Sequence, residues 1–304
     1  MFMDHLLSIE ALTGPQIESL VNLGASLKLS RTDSPKVLAG QQWALIFTKS
    51  STRTRVSFEV GIRELGGTPM FLSGADIQLG RGEPIKDTAR VLGRMIHGAV
   101  IRTFAQQDVV DFAHYSGIPT INALTDDEHP CQILADLLTI QERLGSWQGK
   151  RVVFLGDGDC NVARSWIWAA VRGGFHIVIG APKAFQPAAS FLATLPSQEN
   201  ITITDDPAAA VGGADAIYTD VWVSMGKEEE AKERIEILSP WQINDALMAH
   251  AKPGALVMHC LPAYRGKEIT DEVMEANAPI IFDQAENRLH AQKAVLVSLT
   301  DPHF

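Results

Sequence analysis

The 304-residue sequence is poor in cysteine, and its three cysteines, Cys131, Cys160 and Cys260, are widely spaced. An odd, scattered set predicts neither a disulfide framework nor a CxxC metal site. No apolar run approaches the roughly 18 residues that suggest a membrane span. The N-terminal segment MFMDHLLSIE also lacks a basic region followed by a long apolar stretch. These absences predict a soluble protein of the reducing cytoplasm.

Positive charge is scarce as well, with a net charge of −10 and a pI near 5.4. This balance argues against non-specific binding of nucleic acid, so an anionic ligand must be held by a local group of cations. Hydrophobic residues make up 46% of the chain and charged residues 20%, as in an ordinary globular enzyme. The length suits two domains of about 150 residues each.

Short apolar runs alternate with amphipathic segments, which is typical of parallel α/β units. We therefore predict two doubly wound parallel-sheet domains with the active site in the cleft between them, where ligands meet the carboxyl ends of strands. The predicted domains are residues 1–135, residues 136–285, and a C-terminal helix, 286–304, that returns to the first domain. Strands are predicted at residues 43–48, 70–72, 99–102, 120–122, 151–156, 176–180, 201–204, 216–220, 255–260 and 279–283. The clearest helical spacings cover residues 51–64, 86–96, 129–143 and 291–299.

The sharpest local feature is the STRTR segment (residues 51–55), which follows a predicted strand and opens a helix. The unpaired N–H groups and positive dipole end of a helix attract phosphate. Arg53 and Arg55 stand where an ordinary helix start favours acidic residues, and arginine binds phosphate oxygens through two parallel hydrogen bonds. The segment predicts a phosphate site, with an ordinary capped helix and solvated arginines as the alternative.

A second polar segment, HPCQ (residues 129–132), opens the next long predicted helix, and its proline suits a first helical turn. His129 and Gln132 are three residues apart and can reach the same ligand. Acidic residues precede His129, but no second His or Cys follows at metal-ligand spacing, so we expect no metal there. A purely structural histidine remains the alternative.

The GDGDCN segment (residues 156–161) resembles a dinucleotide-binding turn without fulfilling it. Its third glycine is replaced by Asn161, and the following strand ends in Gly180-Ala181-Pro182, where an acidic partner for the ribose is needed. We therefore expect no nucleotide cofactor, and we interpret Asn161 as a short polar residue that faces a ligand.

Two later predicted strands also end in polar segments that could contact a ligand. Asp220 opens the DVWVSMG segment (residues 220–226), and its carboxylate could pair with a substrate ammonium. The KEEEAKER segment that follows (residues 227–234) is predicted to be a solvated face. In the HCLP segment (residues 259–262), Cys260 could be a nucleophile, a thiol that orients substrate, or a packed core residue.

Taken in order, these segments resemble the signature set of the ornithine carbamoyltransferases. The DTARVL segment (residues 87–92) and the ENR segment (residues 286–288) match as well, so the resemblance spans nearly the whole chain. The aspartate-using relatives have His-Pro-Leu-Pro in place of the HCLP segment, and they lack the Ser-Met-Gly loop. A carboxylate such as Asp220 suits the cationic α-amino group of ornithine.

The resemblance implies transfer of the carbamoyl group of carbamoyl phosphate to the δ-amine of L-ornithine, giving L-citrulline and phosphate in arginine biosynthesis. No metal or cofactor is implied. The alternatives are carbamoyl transfer to N-acylornithine or putrescine, or a non-catalytic protein that binds a phosphometabolite. The resemblance also implies a homotrimer in which Gln78 reaches the active site of a neighbouring subunit.

Roles for individual residues follow from the same resemblance. The implied catalytic residues are Arg102, His129, Asp220 and Cys260. The implied carbamoyl phosphate ligands are Ser51, Thr52, Arg53, Thr54, Gln78, Arg102, His129, Pro130, Cys131, Gln132, Cys260, Leu261 and Arg288. The implied ornithine ligands are Asn161, Asp220, Ser224 and Met225. The group that takes the proton from the δ-amine stays open between the phosphate itself and Cys260 with Asp220.

The STRTR assignment is testable with Arg53→Ala. A hydrogen bond to a charged partner contributes about 1.5–3 kcal/mol, so we expect the affinity for carbamoyl phosphate to fall at least about tenfold. Isothermal titration with carbamoyl phosphate checks this, and an unchanged affinity would contradict the phosphate assignment.

Overall fold

The structure is a computed structural model that describes residues 3–74, 83–224, 226 and 228–301. The chain divides into two compact units, Met1–Leu138 with Glu286–Phe304, and Thr139–Ala285. Both divisions fall inside long helices, Pro130–Leu144 and Ala278–Thr300, so each of these helices contributes residues to both units.

The first unit contains strands β1 (Gln42–Phe47), β2 (Thr68–Ser73), β3 (Gly98–Arg102) and β4 (Thr120–Leu124), and helices α1 (Gly14–Leu29), α2 (Thr52–Glu64), α3 (Ile85–Leu92), α4 (Gln106–Ser116) and α5 (Pro130–Leu144). The strands form a four-stranded parallel sheet in the order β2-β1-β3-β4. Strands β1, β3 and β4 are buried along most of their length, as parallel strands covered by helices are, whereas the edge strand β2 is partly exposed. The chain runs from β1 outward to β2 and then returns past β1 to β3. The strand order therefore reverses between β1 and β3, the kind of point at which open α/β sheets bind ligands.

The second unit contains strands β5 (Arg151–Leu155), β6 (His176–Gly180), β7 (Ile201–Thr204), β8 (Ala216–Thr219) and β9 (Leu256–His259). They form a five-stranded parallel sheet in the order β7-β6-β5-β8-β9, and here the order reverses between β5 and β8. Its helices are α6 (Asn161–Gly173), α7 (Ala189–Leu192), α8 (Pro207–Val211), α9 (Ala231–Leu238), α10 (Asp245–Met248) and α11 (Asp271–Ala276), followed by α12 (Ala278–Thr300).

This topology confirms the predicted class of two parallel-sheet α/β domains. Nine of the predicted strands are present with similar boundaries. Within the part of the chain that the structure describes, no helix combines the length and the hydrophobicity needed to cross a membrane.

The strand predicted at residues 279–283 is wrong, because this segment forms the beginning of the 23-residue helix α12. The short apolar run PIIFD was interpreted as a strand on composition. In the helix, Ile281 is buried while the adjacent Phe282 is 54% exposed, and the buried face continues with Gln284 and Asn287. That face has helical spacing, but polar residues form much of it, so hydrophobic periodicity did not reveal it.

The polar face of α12 includes Lys293, whose side chain is fully buried in the first unit. Its ammonium donates to Ser34 Oγ at 2.5 Å and to Glu64 Oε2 at 2.8 Å. Arg31, about half exposed, pairs with the same carboxylate at 2.9 Å. The Glu64 carboxylate therefore bonds both the buried Lys293 and the more exposed Arg31, so the contributions of the two ion pairs to stability can be compared.

We expect Lys293→Ala to destabilise the first unit by about 3 kcal/mol, because it removes a buried ion-pair partner and leaves a cavity. Arg31→Ala, the matched control, should cost less than about 1 kcal/mol, since exposed ion pairs contribute little. Urea denaturation followed by circular dichroism measures both. Equal effects of the two variants would contradict the assignment.

Candidate functional site

The two points of strand-order reversal carry most of the residues that the sequence singled out. In the first unit we call the loops after β1 and β3, with the residues of α5 and α12 that contact them, the β1/β3 site. In the second unit, the loops after β5, β8 and β9 form the β5/β8 site. Both sites lie at carboxyl ends of parallel strands, as expected for ligand-binding loops.

The β1/β3 site begins at the N-terminus of α2. Ser51 caps the helix with extended backbone, and its Oγ accepts from Thr54 N at 3.2 Å. The first turn contains no acidic residue. Thr52 and Arg53 are exposed, and Thr54 is buried. The positive end of the helix is therefore open to an anion and is not neutralised by a carboxylate of its own first turn.

The two arginines near the start of this helix differ in their surroundings. Arg55 Nε donates to Glu59 Oε1 at 2.8 Å, and its guanidinium lies 3.8 Å from the centroid of the Phe71 ring. Arg53 pairs with no carboxylate among the described residues. Arg53 is thus the guanidinium that can turn to a ligand, and Arg55→Ala is a control for Arg53→Ala.

Arg288 of α12 connects the two helix starts of this site. Its guanidinium is 5% exposed and donates to Gln132 Oε1 at 2.6 Å and to Thr54 Oγ1 at 3.2 Å. Gln132 in turn donates from Nε2 to Oδ1 of the buried Asp136 at 2.8 Å. Three of the predicted ligands therefore form one continuous hydrogen-bonded network, with Asp136 as a buried counter-charge.

Gln292, which the sequence analysis missed, also holds Arg288. With its amide oriented to satisfy both neighbours, its oxygen accepts from Arg288 Nη2 at 3.1 Å and its nitrogen donates to Ser57 Oγ at 2.6 Å. Gln292 is fully buried one helical turn after Arg288. A polar residue four positions from a candidate ligand on the same helix was the available signal.

Arg102 ends β3, and His129 immediately precedes α5; they are 6% and 5% exposed. Burial, and then the charges of Arg288 and Arg102, lower the pKa of His129 well below its ordinary value. The imidazole is therefore neutral near pH 7, so it can act as a hydrogen-bonding group without adding charge. Burial raises the pKa of Cys131 to about 12, and its thiol donates to Asn122 O at 3.4 Å. Contact of Cys131 with a ligand would therefore involve its main chain.

Lys49 is a second residue that sequence reasoning missed. It lies between β1 and α2, is 6% exposed, and forms an ion pair with Asp126. Its ammonium also lies 4.1 Å from the centroid of the Phe104 ring. Lys49 thus joins the loops after β1, β3 and β4. These loops contain Ser51 and His129, and one of them directly follows Arg102. A lysine two residues beyond an apolar strand was the signal in the sequence.

The β5/β8 site is centred on Asp220, directly after β8. Its Oδ1 accepts from Cys260 Sγ at 2.9 Å and from Val221 N at 2.7 Å. Desolvation raises the pKa of Asp220, against the opposing effects of His259, the Cys260 thiol and Val221 N–H. The predicted pair of Asp220 and Cys260 is therefore in direct contact, and the carboxylate is poorly compensated until a cation arrives.

His259, the last residue of β9, orients the backbone that follows Cys260. Its Nδ1 accepts from Leu261 N at 2.8 Å, so the ring hydrogen resides on Nε2, which faces Glu268 Oε1 at 3.2 Å. Glu268 is fully buried and was not predicted. Leu261 has a φ of 57°, a left-handed conformation that costs a leucine about 1–2 kcal/mol. The bond to His259 holds Leu261 in this conformation and so fixes the carbonyl groups around it.

Asp220, His259 and Cys260 each offer a ligand atom within 4.8 Å of the others. Both ring nitrogens of His259 already have partners, however. A metal ion could use all three groups only if His259 gave up one of those bonds. The arrangement is therefore better suited to binding an organic cation through Asp220 than to binding a metal.

The loop after β5 brings Cys160 and Asn161 to the same site. Asn161 is the first residue of α6, and Cys160 caps that helix with its sulfur accepting from Ala163 N at 3.5 Å. Burial, and then the charges of Asp157 and Asp220, raise the pKa of Cys160 well above its usual value. The thiol is therefore protonated, and it lies within the electrostatic reach of both carboxylates.

Three further sets of predicted residues remain: Ser224, Gln78 with Met225, and the segment 227–234. Ser224 follows β8 and is partly buried. Gln78 and Met225 lie outside the described residues. The prediction of a solvated face over residues 227–234 is wrong for Arg234, which is 7% exposed and forms an ion pair with Asp157. A segment dominated by charged residues concealed one buried arginine, because composition does not show which side of a helix faces the core.

Comparison with known proteins agrees with this geometry. A family model described as the carbamoyl-P binding domain of aspartate/ornithine carbamoyltransferase matches residues 4–142, and the Asp/Orn binding domain model matches residues 148–299. An ornithine carbamoyltransferase of Akkermansia muciniphila is 62% identical over 98% of this chain and 99% of its own. The chain belongs to the aspartate/ornithine carbamoyltransferase family.

Solved structures of this family also match. Ornithine carbamoyltransferase from Pyrococcus furiosus has a TM-score of 0.91 at 44% identity and covers 97% of this chain and 96% of its own. The anabolic enzyme from Campylobacter jejuni has a TM-score of 0.93 at 39% identity, covering 99% of this chain and all of its own (100%). The predicted resemblance to the ornithine carbamoyltransferases is confirmed, and this family member is a carbamoyltransferase. The loops after β1 and β3 and the start of α5 lie in the segment matched by the carbamoyl-P binding model. The β5/β8 site lies in the segment matched by the Asp/Orn binding model, and so do Arg288 and Gln292 of α12.

The raised pKa of Asp220 leads to a prediction about stability. A folded-state pKa above the unfolded value means that ionising Asp220 destabilises the fold as pH rises through the folded pKa. We therefore expect Asp220→Asn to raise the melting temperature at neutral pH, with the gain shrinking as pH falls toward 3.8, the ordinary carboxyl value. Carbamoyl transfer should be lost.

Asp215→Asn is the matched control. Desolvation raises the pKa of Asp215, but the Arg151 N–H and the Lys252 ammonium outweigh it and lower the pKa overall. Its replacement should therefore reduce stability at neutral pH. Thermal unfolding measured from pH 4 to 7 compares the two variants, and a loss of stability at pH 7 for Asp220→Asn would contradict the assignment.

Proposed function

We propose that this chain transfers the carbamoyl group of carbamoyl phosphate to the δ-amine of L-ornithine and releases L-citrulline and phosphate. The neutral δ-nitrogen attacks the carbonyl carbon, forming a C–N bond. The tetrahedral intermediate then breaks its bond to the phosphate oxygen, and the δ-nitrogen loses one proton. The chemistry needs positioning and charge stabilisation only, with no covalent enzyme intermediate.

The phosphate of carbamoyl phosphate is assigned to the N-terminus of α2. Ser51, Thr52, Arg53 and Thr54 offer hydroxyl groups, main-chain N–H groups and one guanidinium in a single helical turn. Arg102 and Arg288 add two buried cations, and the described network already orients Arg288. These charges suit a dianion in a protein whose net charge is negative.

The carbonyl oxygen of the carbamoyl group is assigned to Thr54 and Arg102. Thr54 Oγ1 accepts from Ser51 Oγ at 3.0 Å and from Arg288 at 3.2 Å, so its own hydrogen remains to donate to a ligand. Donors fixed before the reaction stabilise the oxygen as it gains negative charge. His129, which is neutral at pH 7, and Gln132 complete the contacts to the carbamoyl group. The resemblance adds the main chain of Pro130 and Cys131, and it assigns the carbonyl groups of Cys260 and Leu261 to the carbamoyl NH₂.

Ornithine is assigned to the β5/β8 site. Its α-ammonium would pair with Asp220 and Ser224, and its α-carboxylate would bond to Asn161 and to the main chain of Met225. The single observation that carries this assignment is Asp220, a desolvated carboxylate at the carboxyl end of β8 with one oxygen bonded to Cys260. An incoming ammonium supplies the compensating charge.

Asp220 and Asn161 also discriminate between candidate acceptors. Putrescine has no α-carboxylate for Asn161. An N-acylornithine has a neutral amide in place of the α-ammonium, so Asp220 would remain uncompensated. Each loss removes a charged hydrogen bond of about 1.5–3 kcal/mol, which predicts a preference for ornithine of about 10- to 100-fold over either amine.

The test is a steady-state assay with carbamoyl phosphate and each of ornithine, N-acetylornithine and putrescine, with product identified by mass. We expect citrulline as the main product and the highest kcat/KM for ornithine. Efficient carbamoylation of N-acetylornithine or putrescine would move the assignment to that acceptor. Binding of carbamoyl phosphate without turnover of any amine would favour the non-catalytic alternative.

The assembly and the cellular role belong to the same proposal. We propose a homotrimer whose active sites each include Gln78 of a neighbouring subunit, working in arginine biosynthesis in the cytoplasm. The solved Campylobacter relative is described as anabolic, which supports the biosynthetic direction. Light scattering combined with size-exclusion chromatography tests the trimer, and initial rates in both directions test the preference for citrulline synthesis.

A further inference from the structure

Arg234 occupies an unusual position for a residue of a highly charged helix. It lies in α9, whose flanking residues are mostly acidic or basic and solvent-facing, yet its side chain is buried. Burial of a guanidinium is unfavourable unless its hydrogen-bonding groups are satisfied and its charge is compensated. The contacts of Arg234 show how both conditions are met.

The guanidinium bonds in three directions. Nε donates to Trp222 O at 2.7 Å, Nη2 pairs with the carboxylate of Asp157, and Nη1 faces Glu230 Oε2 at 3.4 Å. One face of the guanidinium lies 4.7 Å from the centroid of the Phe185 ring. The planar fork of arginine can make these contacts together, whereas the single ammonium of lysine cannot span them.

Two partners of Arg234, Trp222 and Asp157, belong to the two loops that contain or lead to the residues assigned to ornithine. Trp222 lies midway between Asp220 and Ser224 in the loop after β8. Asp157 lies in the turn after β5, which leads to Asn161 at the start of α6. Strands β5 and β8 are neighbours in the sheet, and the strand order reverses between them. Arg234 therefore joins the two loops at the point where they diverge.

We propose that Arg234 is a positioning residue for the amine acceptor, resting on the function proposed above. It fixes the loop that carries Asp220 and Ser224 relative to the loop that carries Asn161. An α-amino acid needs its ammonium and carboxylate partners at one fixed separation, which two independent loops would hold poorly. Arg234 acts through these loops and does not bind the acceptor, because its side chain is buried and each of its three nitrogens already has a partner.

The charge of Asp157 contributes to the same positioning role. Paired with Arg234, Asp157 neutralises a buried cation that would otherwise repel the ammonium groups of ornithine. In return, Arg234 compensates the carboxylate of Asp157, whose charge, like that of Asp220, raises the pKa of Cys160. Loss of either partner alone would leave one uncompensated charge beside the acceptor loops.

The test uses Arg234→Lys, Arg234→Gln and the double variant Arg234→Gln/Asp157→Asn. Arg151→Lys is the control, because Arg151 also donates from Nε to a main-chain oxygen, Gly212 O at 3.0 Å, but it lies at the opposite end of β5. The probe is L-norvaline, which keeps the α-amino and α-carboxylate groups of ornithine and lacks the δ-amine. Its Kd is measured by calorimetry in the presence of phosphate, alongside KM and kcat for ornithine and the Kd of carbamoyl phosphate.

We expect Arg234→Lys to weaken norvaline binding and raise the KM for ornithine at least tenfold, with carbamoyl phosphate affinity within twofold of the parent. Arg234→Gln should be worse, and the double variant should recover part of the loss because both charges are removed. Arg151→Lys should leave all these constants within twofold. This pattern separates positioning of the acceptor from a general loss of structure.

Unchanged norvaline affinity in Arg234→Lys, with the parent active on ornithine, would overturn the proposal. An equal loss of norvaline and carbamoyl phosphate binding in Arg234→Lys would also overturn it, since that result indicates a general structural role. Should Arg234→Gln fail to fold, Arg234→Lys still decides the question. A parent protein that carbamoylates no ornithine at all would refute the proposed function first, and the positioning role with it.

Discussion

Each parallel sheet of this protein reverses its strand order once, and at that point two neighbouring loops diverge from adjacent strands. The two loops run to opposite sides of that point, and helix N-termini follow closely. Polar side chains and ligands can occupy the space between the loops without disturbing the buried sheet. Ser51 and Arg102 lie at the reversal between β1 and β3, and Asn161 and Asp220 lie at the reversal between β5 and β8. The remainder of each candidate site is arranged around this constraint.

The second common feature is that buried charge is compensated within each site. Arg288 lies in a network that ends on Asp136, and Arg234 pairs with Asp157. Asp220 is the contrasting case, because its close contact is a thiol and its pKa is raised. The structure thus stabilises the groups that orient the sites and leaves the carboxylate that would meet substrate in a less stable state. This is the trade of stability for function that is common at active sites.

Local sequence patterns predicted much of the fold, because buried parallel strands are short apolar runs and the loops after them are polar. The STRTR segment identified the start of α2, and the HPCQ segment identified the start of α5, since the first helical residues have distinctive requirements. The same logic failed at residues 279–283, where a short apolar run began a helix whose buried face is largely polar. It failed again at Arg234, because a charged helix does not show from its sequence which residue turns inward.

The sequence by itself determined the fold class, the family and the segments that carry the candidate chemistry, since each of these depends on residues close together in the chain. Tertiary structure decided which of these residues bond to one another. Bonds join segments far apart in the chain, as between Cys260 and Asp220 and between Arg288 and both Thr54 and Gln132. The neutral state of His129 likewise depends on burial and on the charges of Arg288 and Arg102. Such contacts depend on strand order and helix packing, and so does the desolvation that shifts a pKa. No local pattern encodes these arrangements, because each depends on what the rest of the chain places around the residue.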